Sequence, residues 1–285
     1  MPGPASPLPP GGYVELPGRG TTWVWDTGGD DLPAVVLLHG WTSTAALNWC
    51  RCFAPLSPSF RVLALDQRGH GRGIRSLRPF RLEDCADDVA ALIDAKVGAP
   101  AAVVGYSMGG PVAQLVWRRH PDAVRGLVLC ATAATFPGPP LPEAAIAAVG
   151  LGLSLALSAI PPQVRQEGFR RLVRSHPAQE TLAAWARRES EAGEPVAFVQ
   201  AGVALNSFDS NRWIGDVDVP TAVVVTTEDT TVPTTRQERL AAAIPGATVL
   251  RIPAGHRACV ESTGVFVPAL IDACRSVTAG PAPRR

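Results

Sequence analysis

Gly105-Tyr106-Ser107-Met108-Gly109 sets a serine between two glycines, directly after the apolar run Ala101 to Val104. A serine hydroxyl is a poor nucleophile by itself. It becomes effective when a histidine takes its proton and an acid orients that histidine. The chain has five histidines. His39 belongs to the turn His39-Gly40-Trp41, and His70 to Asp66-Gln67-Arg68-Gly69-His70, where bracing that loop is the simpler role. His120 precedes Pro121 at the end of a helical stretch, a capping position, and His176 lies in a stretch without strands. His256, in Pro253-Ala254-Gly255-His256, follows the last strand-like run and so falls at the same sheet edge as Ser107. An orienting acid should follow a strand between serine and histidine. Asp229 does so, at the end of the run Pro220 to Asp229. Its neighbour Glu228 is one step out of register, and Asp209, Asp216 and Asp218 precede the strand, where caps and turns use acids. Ser107, Asp229 and His256 are the candidates for nucleophile, acid and base in acyl transfer.

The elements that must hold these residues are legible from short apolar runs. Tyr13–Leu16 and Thr21–Asp26 read as a leading strand pair joined by Pro17-Gly18-Arg19-Gly20. Ala34–Gly40, Phe60–Asp66, Ala101–Ser107 and Gly126–Ala131 lack period-two alternation, as strands buried on both faces do. Helices are predicted near Leu47–Leu56, Leu82–Val97 and Met108–His120. In the second, Leu82, Ala86, Val89, Ala90 and Ile93 form one apolar face opposite Glu83, Asp87 and Asp94. Alternating strands and helices predict an α/β fold with a parallel sheet covered on both sides. From about Phe136 to Trp213 the alternation stops and the chain reads as helical. A seventh strand then ends at Asp229, a helix spans Thr234–Ala243, and Ala247–Pro253 and Ser262–Val277 supply the last strand and helix. The expected organisation is a disordered lead-in over residues 1–12, a core over 13–135 and 214–280, and a helical lid over 136–213. Ser107 thus sits in a strand–turn–helix setting, in which Gly105 and Gly109 let the backbone turn and pack closely.

Composition excludes several alternatives. The 26 Lys and Arg balance 25 Asp and Glu, for a net charge of +1, and they are interspersed, so no nucleic-acid footprint is present. Lys96 is the single lysine. Six cysteines in 285 residues are too sparse for a disulfide scaffold, and no second Cys/His pair at zinc spacing accompanies Cys50 and Cys52. They read as reduced thiols in a cytoplasmic protein. The opening residues lack a basic segment and an apolar core, so no signal peptide is expected. Ala144–Ile160 is uncharged but shorter than the roughly 20 residues a membrane span needs, so no stable span is expected.

Four motifs in order carry a resemblance to a known family: Leu37-Leu38-His39-Gly40-Trp41, the loop Asp66 to Gly73, Gly105 to Gly110, and Thr226 to Pro233 followed by Ala254-Gly255-His256. Over roughly residues 21–277 the chain resembles the α/β-hydrolase superfamily, in its lidded esterase, perhydrolase and C–C hydrolase-like branch. The resemblance implies an eight-stranded, mostly parallel sheet flanked by helices, with a helical cap after the sixth strand. It also implies an oxyanion hole from the backbone N–H groups of Trp41 and Met108, supported by His39, Gly40, Gly105 and Gly109, with no metal or organic cofactor. Two departures stand out: Gly73 replaces the family's usual serine at the end of the Asp66 loop, and Tyr106 precedes the nucleophile where many relatives carry histidine. Serine at 107 sets the chain apart from relatives with aspartate there, the haloalkane dehalogenases and epoxide hydrolases. The implied partner is a small-molecule ester with an apolar acyl or aromatic part. Val149, Leu151, Leu153, Leu155 and Leu157, with Trp185, Phe198, Phe208 and Trp213, are candidates for the lid's apolar lining. Peracid formation is a conceivable side activity from the position of Trp41. One alternative keeps the triad for C–C bond or lactone hydrolysis, whose acidic substrates would call on Arg165, Arg170, Arg171, Arg174, Arg187 and Arg188. Another is a non-catalytic hydrolase-fold binding protein.

Overall fold

Every interior strand of the sheet divides its side chains between two apolar layers. In the computed structural model, Val36, Leu38, Val103, Leu127, Leu129, Val223 and Val225 point to one layer, and Val35, Leu37, Val104, Val128, Ala222 and Val224 to the other. This is why the sequence shows no polar alternation there: neither face meets water. The structure describes residues 8–76, 78–136, 143–161, 163–165, 167, 189 and 193–280.

Eight strands form one sheet: β1 Gly11–Leu16, β2 Gly20–Asp26, β3 Ala34–Leu38, β4 Arg61–Leu65, β5 Ala101–Tyr106, β6 Val124–Cys130, β7 Thr221–Thr226 and β8 Thr248–Ile252. Their spatial order is β1-β2-β4-β3-β5-β6-β7-β8. β2 pairs antiparallel with both β1 and β4, and all later pairs are parallel. The helices are α1 Ala45–Trp49, α2 Phe53–Leu56, α3 Leu82–Lys96, α4 Gly109–Arg119, α5 Glu143–Ala159, α6 Pro195–Asn206, α7 Thr234–Ala243, α8 Ala258–Glu261 and α9 Thr263–Thr278. Helices α3 and α4 cover one layer; α1, α2 and α9 cover the other. Among the described residues no helix is long and apolar enough to cross a membrane.

The predicted single helix over Leu47–Leu56 is two short ones. A continuous helix would place Pro55 in its interior, against the carbonyl of Arg51 and without an N–H to donate. Breaking the helix at Cys50–Cys52 instead puts Pro55 in the first turn of α2. α3 runs as expected, with Glu83 and Asp84 in its first turn and Lys96 in its last, matching the helix dipole. It also buries an acid that the apolar pattern hides, Asp88, at 2% exposure. Lys96 itself is exposed.

The chain between β6 and β7 leaves and returns at one place. Thr135 and Asp209 form an isolated antiparallel bridge, and Ser210 donates to Ala134 O at 3.0 Å through its N–H and to Gln114 Oε1 at 2.6 Å through its hydroxyl. Leu151, Leu153 and Leu155 of α5 are exposed, while the side chain of Val149 and residue Trp185 lie outside the described residues. Phe208 and Trp213 pack on each other, and Trp213 stacks on Trp117, which is core packing.

Candidate active site

Ser107 is the residue at the tip of the β5–α4 turn, and its backbone is left-handed, with φ 52°. A non-glycine residue there is costly unless its surroundings enforce it. The enforcement is visible: Ser107 N–H donates to Cys130 O (3.0 Å), and its carbonyl accepts from Gly110 N–H (2.9 Å) and Thr132 Oγ1 (2.8 Å). A side chain at Gly105 would strike the Gly109 carbonyl, and one at Gly109 would strike the Leu38 carbonyl. The two glycines therefore let strand, turn and helix meet.

His256 follows β8 and reaches both partners expected of it. Its Nε2 lies 3.0 Å from Ser107 Oγ, and its Nδ1 lies 2.7 Å from Asp229 Oδ2. Because an ionised carboxylate only accepts, the proton belongs on Nδ1, leaving Nε2 to accept from the serine hydroxyl. Asp229 follows β7 and its side chain is wholly buried. Burial works to raise its pKa, but hydrogen bonds from His256, the Val232 N–H and Thr226 outweigh it and hold the carboxyl below the usual range. Thr231 N–H also donates to Oδ1 (2.8 Å), and Gln237 Nε2 to Oδ2 (3.2 Å). Tyr106 adds a tie from beneath, donating its hydroxyl to His256 O at 2.6 Å. Thr226, Gln237 and the Tyr106 hydroxyl were not singled out by sequence. Threonine, glutamine and tyrosine are too common to signal a role, and only the three-dimensional junction of β5, β7 and β8 brings them in.

The turn after β3 is fixed by a second set of bonds. His39 Nδ1 donates to Gly40 O (2.8 Å), and its Nε2 accepts from Gln67 N–H (3.0 Å). Gln67 Nε2 returns a bond to His39 O (2.7 Å), and Gly40 N–H donates to Asn48 Oδ1 (3.0 Å). Burial pushes the His39 pKa down to about 4, so it is a neutral structural clamp. Gly40 passes close to the serine: a Cβ on it would lie 3.3 Å from Ser107 Cβ. Among the described residues neither the Trp41 nor the Met108 backbone N–H has an acceptor. The loop from Asp66 to Gly73 is held by Asp66, which accepts from Ala45 N–H (2.9 Å) and Arg72 N–H (2.8 Å). At Gly73 any side chain would meet the carbonyls of Asp66 and Gln67, so the loop as folded here has no room for a serine.

The remaining candidates fall elsewhere. Glu228 is exposed. Asp218 accepts from Trp117 Nε1 (2.9 Å), and His120 is the C-cap residue of α4, its N–H donating to Val116 O (2.8 Å) while its ring pairs with Asp87 at 2.8 Å. His70 is buried behind the His39 turn, its ring against Phe198 at 4.7 Å. Arg165 is paired with Glu194 (3.0 Å) and donates to Leu157 O (3.1 Å). His176, Arg170, Arg171, Arg174, Arg187 and Arg188 lie outside the described residues. Among the described residues no group of three His, Cys, Asp or Glu is arranged to hold a metal ion.

Known proteins share this architecture. The model of the alpha/beta hydrolase fold family matches residues 33–263. A pimeloyl-[acyl-carrier protein] methyl ester esterase from Chromobacterium violaceum is 30% identical over 243 residues, covering 84% of this chain and 93% of that one. A thermophilic esterase from Thermogutta terrifontis, solved with malate bound, superposes with a TM-score of 0.73 at 26% identity, covering 94% of this chain and 99% of that one. The enol-lactonase of Burkholderia xenovorans LB400 superposes with a TM-score of 0.71 at 25% identity, over 92% and 98%.

Proposed function

The chain belongs to the α/β-hydrolase fold family, and from that premise we propose that it is a serine hydrolase cleaving carboxylic esters of small or medium apolar acyl or aromatic compounds. Ser107 attacks the ester carbonyl while His256 Nε2 takes its proton. Asp229 holds the Nδ1 tautomer and stabilises the imidazolium. The Trp41 and Met108 amides receive the oxyanion, which is stabilised most when its donors are fixed beforehand. His256 then protonates the leaving alcohol, and water resolves the acyl-enzyme through the same base. One observation carries this reading: a single histidine lies 3.0 Å from Ser107 Oγ and 2.7 Å from a buried carboxylate.

Residues 136–213 serve as the cap in this reading, supported by the Thr135–Asp209 bridge that brings the two ends of the segment together. The preference for an apolar substrate is supported by α6, which carries no charged residue. Six cysteines without a disulfide suit a reducing, cytoplasmic setting. The enol-lactonase likeness makes lactone opening on the same triad the second reading. It is separated from the first by giving the protein lactones beside linear esters.

The test is covalent labelling with a fluorophosphonate, read by intact mass and peptide mapping, beside a chain-length series of nitrophenyl esters. Labelling confined to Ser107 and lost in His256→Ala is expected. Ser107→Ala should lower turnover on the order of 10⁴-fold. A Ser107→Ala protein that keeps its activity overturns the mechanism.

A further inference from the structure

Trp41 touches the structure at two ends. Its backbone N–H is the proposed oxyanion donor. Its indole N–H donates to the carbonyl of Phe198, in α6, at 2.9 Å and across 157 residues of chain. The residue is 43% exposed, so burial alone does not fix its ring. α6 does. A Cβ on Gly202 would lie 2.8 Å from the indole Cζ2 and 3.1 Å from Cη2, so the ring lies directly on that glycine. Phe198 and Gly202 are four residues apart and share one face of the helix. One turn of α6 thus presents an acceptor and a gap that together receive the indole.

On the sheet side the peptide carrying the amide is held by His39 Nδ1–H to Gly40 O (2.8 Å) and by Gly40 N–H to Asn48 Oδ1 (3.0 Å); on the cap side the indole is its tie. Thr42 follows with φ 59°, and the turn's own backbone bond, Ser43 N–H to Gly40 O, is long at 3.3 Å. α6, by contrast, is well anchored: Glu194 N–H donates to Gly69 O (2.9 Å), Phe80 N–H donates to Gln200 Oε1 (2.8 Å), and Phe198 packs edge-on against His70.

The geometry points to the Trp41 indole as a positioning latch that ties the oxyanion amide to cap helix α6, so that cap and oxyanion hole are set together. The inference rests on the serine-hydrolase reading for the role of the amide. It goes beyond that reading by making the cap part of the catalytic geometry. A displacement of α6 then lowers kcat, where a cap that only encloses substrate would alter KM.

A double-mutant cycle tests this. Trp41→Phe keeps a ring and removes the donor; it should lower kcat on a small nitrophenyl ester roughly tenfold, part of the loss expected for removing an oxyanion donor outright. KM should stay within about twofold and the pH midpoint of kcat unchanged, because the triad is untouched. Gly202→Ala adds one methyl against the ring and should lower kcat in the same way. Alanine is the better helix former, so a purely structural effect of this change would favour α6 and leave kcat alone. In a Trp41→Ala background there is no ring to meet, and Gly202→Ala should change kcat by less than about twofold. Equal losses from Gly202→Ala in both backgrounds, or unchanged kcat in folded Trp41→Phe and Gly202→Ala proteins, overturn the latch.

Hydrogen exchange supplies a readout that does not depend on turnover. Gly202→Ala should speed exchange in a peptide covering residues 40–48 when Trp41 is present and not when it is alanine. If wild type fails to label at Ser107 while this exchange coupling holds, the hydrolase reading fails and the latch stands. If wild type labels and the coupling is absent, the latch fails alone.

Discussion

His39 and His70 lie with ring centroids 5.3 Å apart, both wholly buried. Burial lowers their pKa values to about 4 and about 3. An unfolded histidine titrates near 6.5, so between pH 6.5 and 4 the unfolded chain binds protons that the folded chain does not. Stability from these two groups is therefore fully present above pH 6.5 and falls with the pH below it, by about 2 kcal/mol from each on going to pH 4.5. His70 Nδ1 donates to Arg68 O (3.1 Å), its Nε2 has no hydrogen-bond partner, and its ring meets Phe80 and Phe198 edge-on, so phenylalanine should fit with the loss of that one bond. His70→Phe is expected to be destabilised at pH 7 by about 1 kcal/mol and to lose about half as much as wild type on acidification to pH 4.5. Thermal melts across that range check it; a parallel acid limb in the variant would contradict it. At this scale Ser107, Asp229 and His256 were legible because each is a reactive type at a strand end, in an order that chemistry recognises. Asn48, Gln67 and Gln237 were not, because their roles depend on neighbours 8 to 28 residues away that only folding supplies, and Thr226, only three residues from Asp229, is of too common a type to signal its bond.

α3 illustrates what periodicity conveys at the scale of an element and what it hides. Its apolar stripe and its ends were readable, yet Asp88 sits among the buried residues of the helix. It receives both arms of Arg68, at 2.7 Å each, and Arg19 Nε at 2.8 Å. The helix is thereby fastened to the Asp66 loop and to the β1–β2 turn. Asp88→Ala leaves Arg68 largely buried without its carboxylate. It should destabilise by about 3 kcal/mol, read from the shift of the urea midpoint at constant slope. A change below about 1 kcal/mol would mean that solvent or Asp84 takes over the guanidinium. The break between α1 and α2 was readable in principle from Pro55 but was masked by the apolar run around it. The α6 slot for Trp41 had no sequence signal at all, since one glycine in an uncharged helix says nothing about what lies on it.

For the molecule as a whole, the succession of strands and the long β6–β7 connection followed from counting apolar runs. The six thiols belong to this scale too. All are buried and none is in a disulfide. Burial drives Cys259 and Cys274 up to about 12, and raises Cys50, Cys52, Cys85 and Cys130 as well. Thiolate is the reactive form, so Ellman's reagent at pH 8 should find no rapidly reacting thiol at Cys52, Cys85, Cys130, Cys259 or Cys274 in the native protein. It should find all six after denaturation; several fast native thiols would mean that the layer beneath β5 and β6 opens readily.

Lys96 closes α3 at the edge of the sheet where β5 begins, one full strand length from Ser107 at its other end. No other side-chain amine exists in the chain. Amine coupling of the folded protein to a surface would therefore have one side-chain point of attachment, remote from the Ser107 edge. Molecules tethered through it would stand with that edge turned outward.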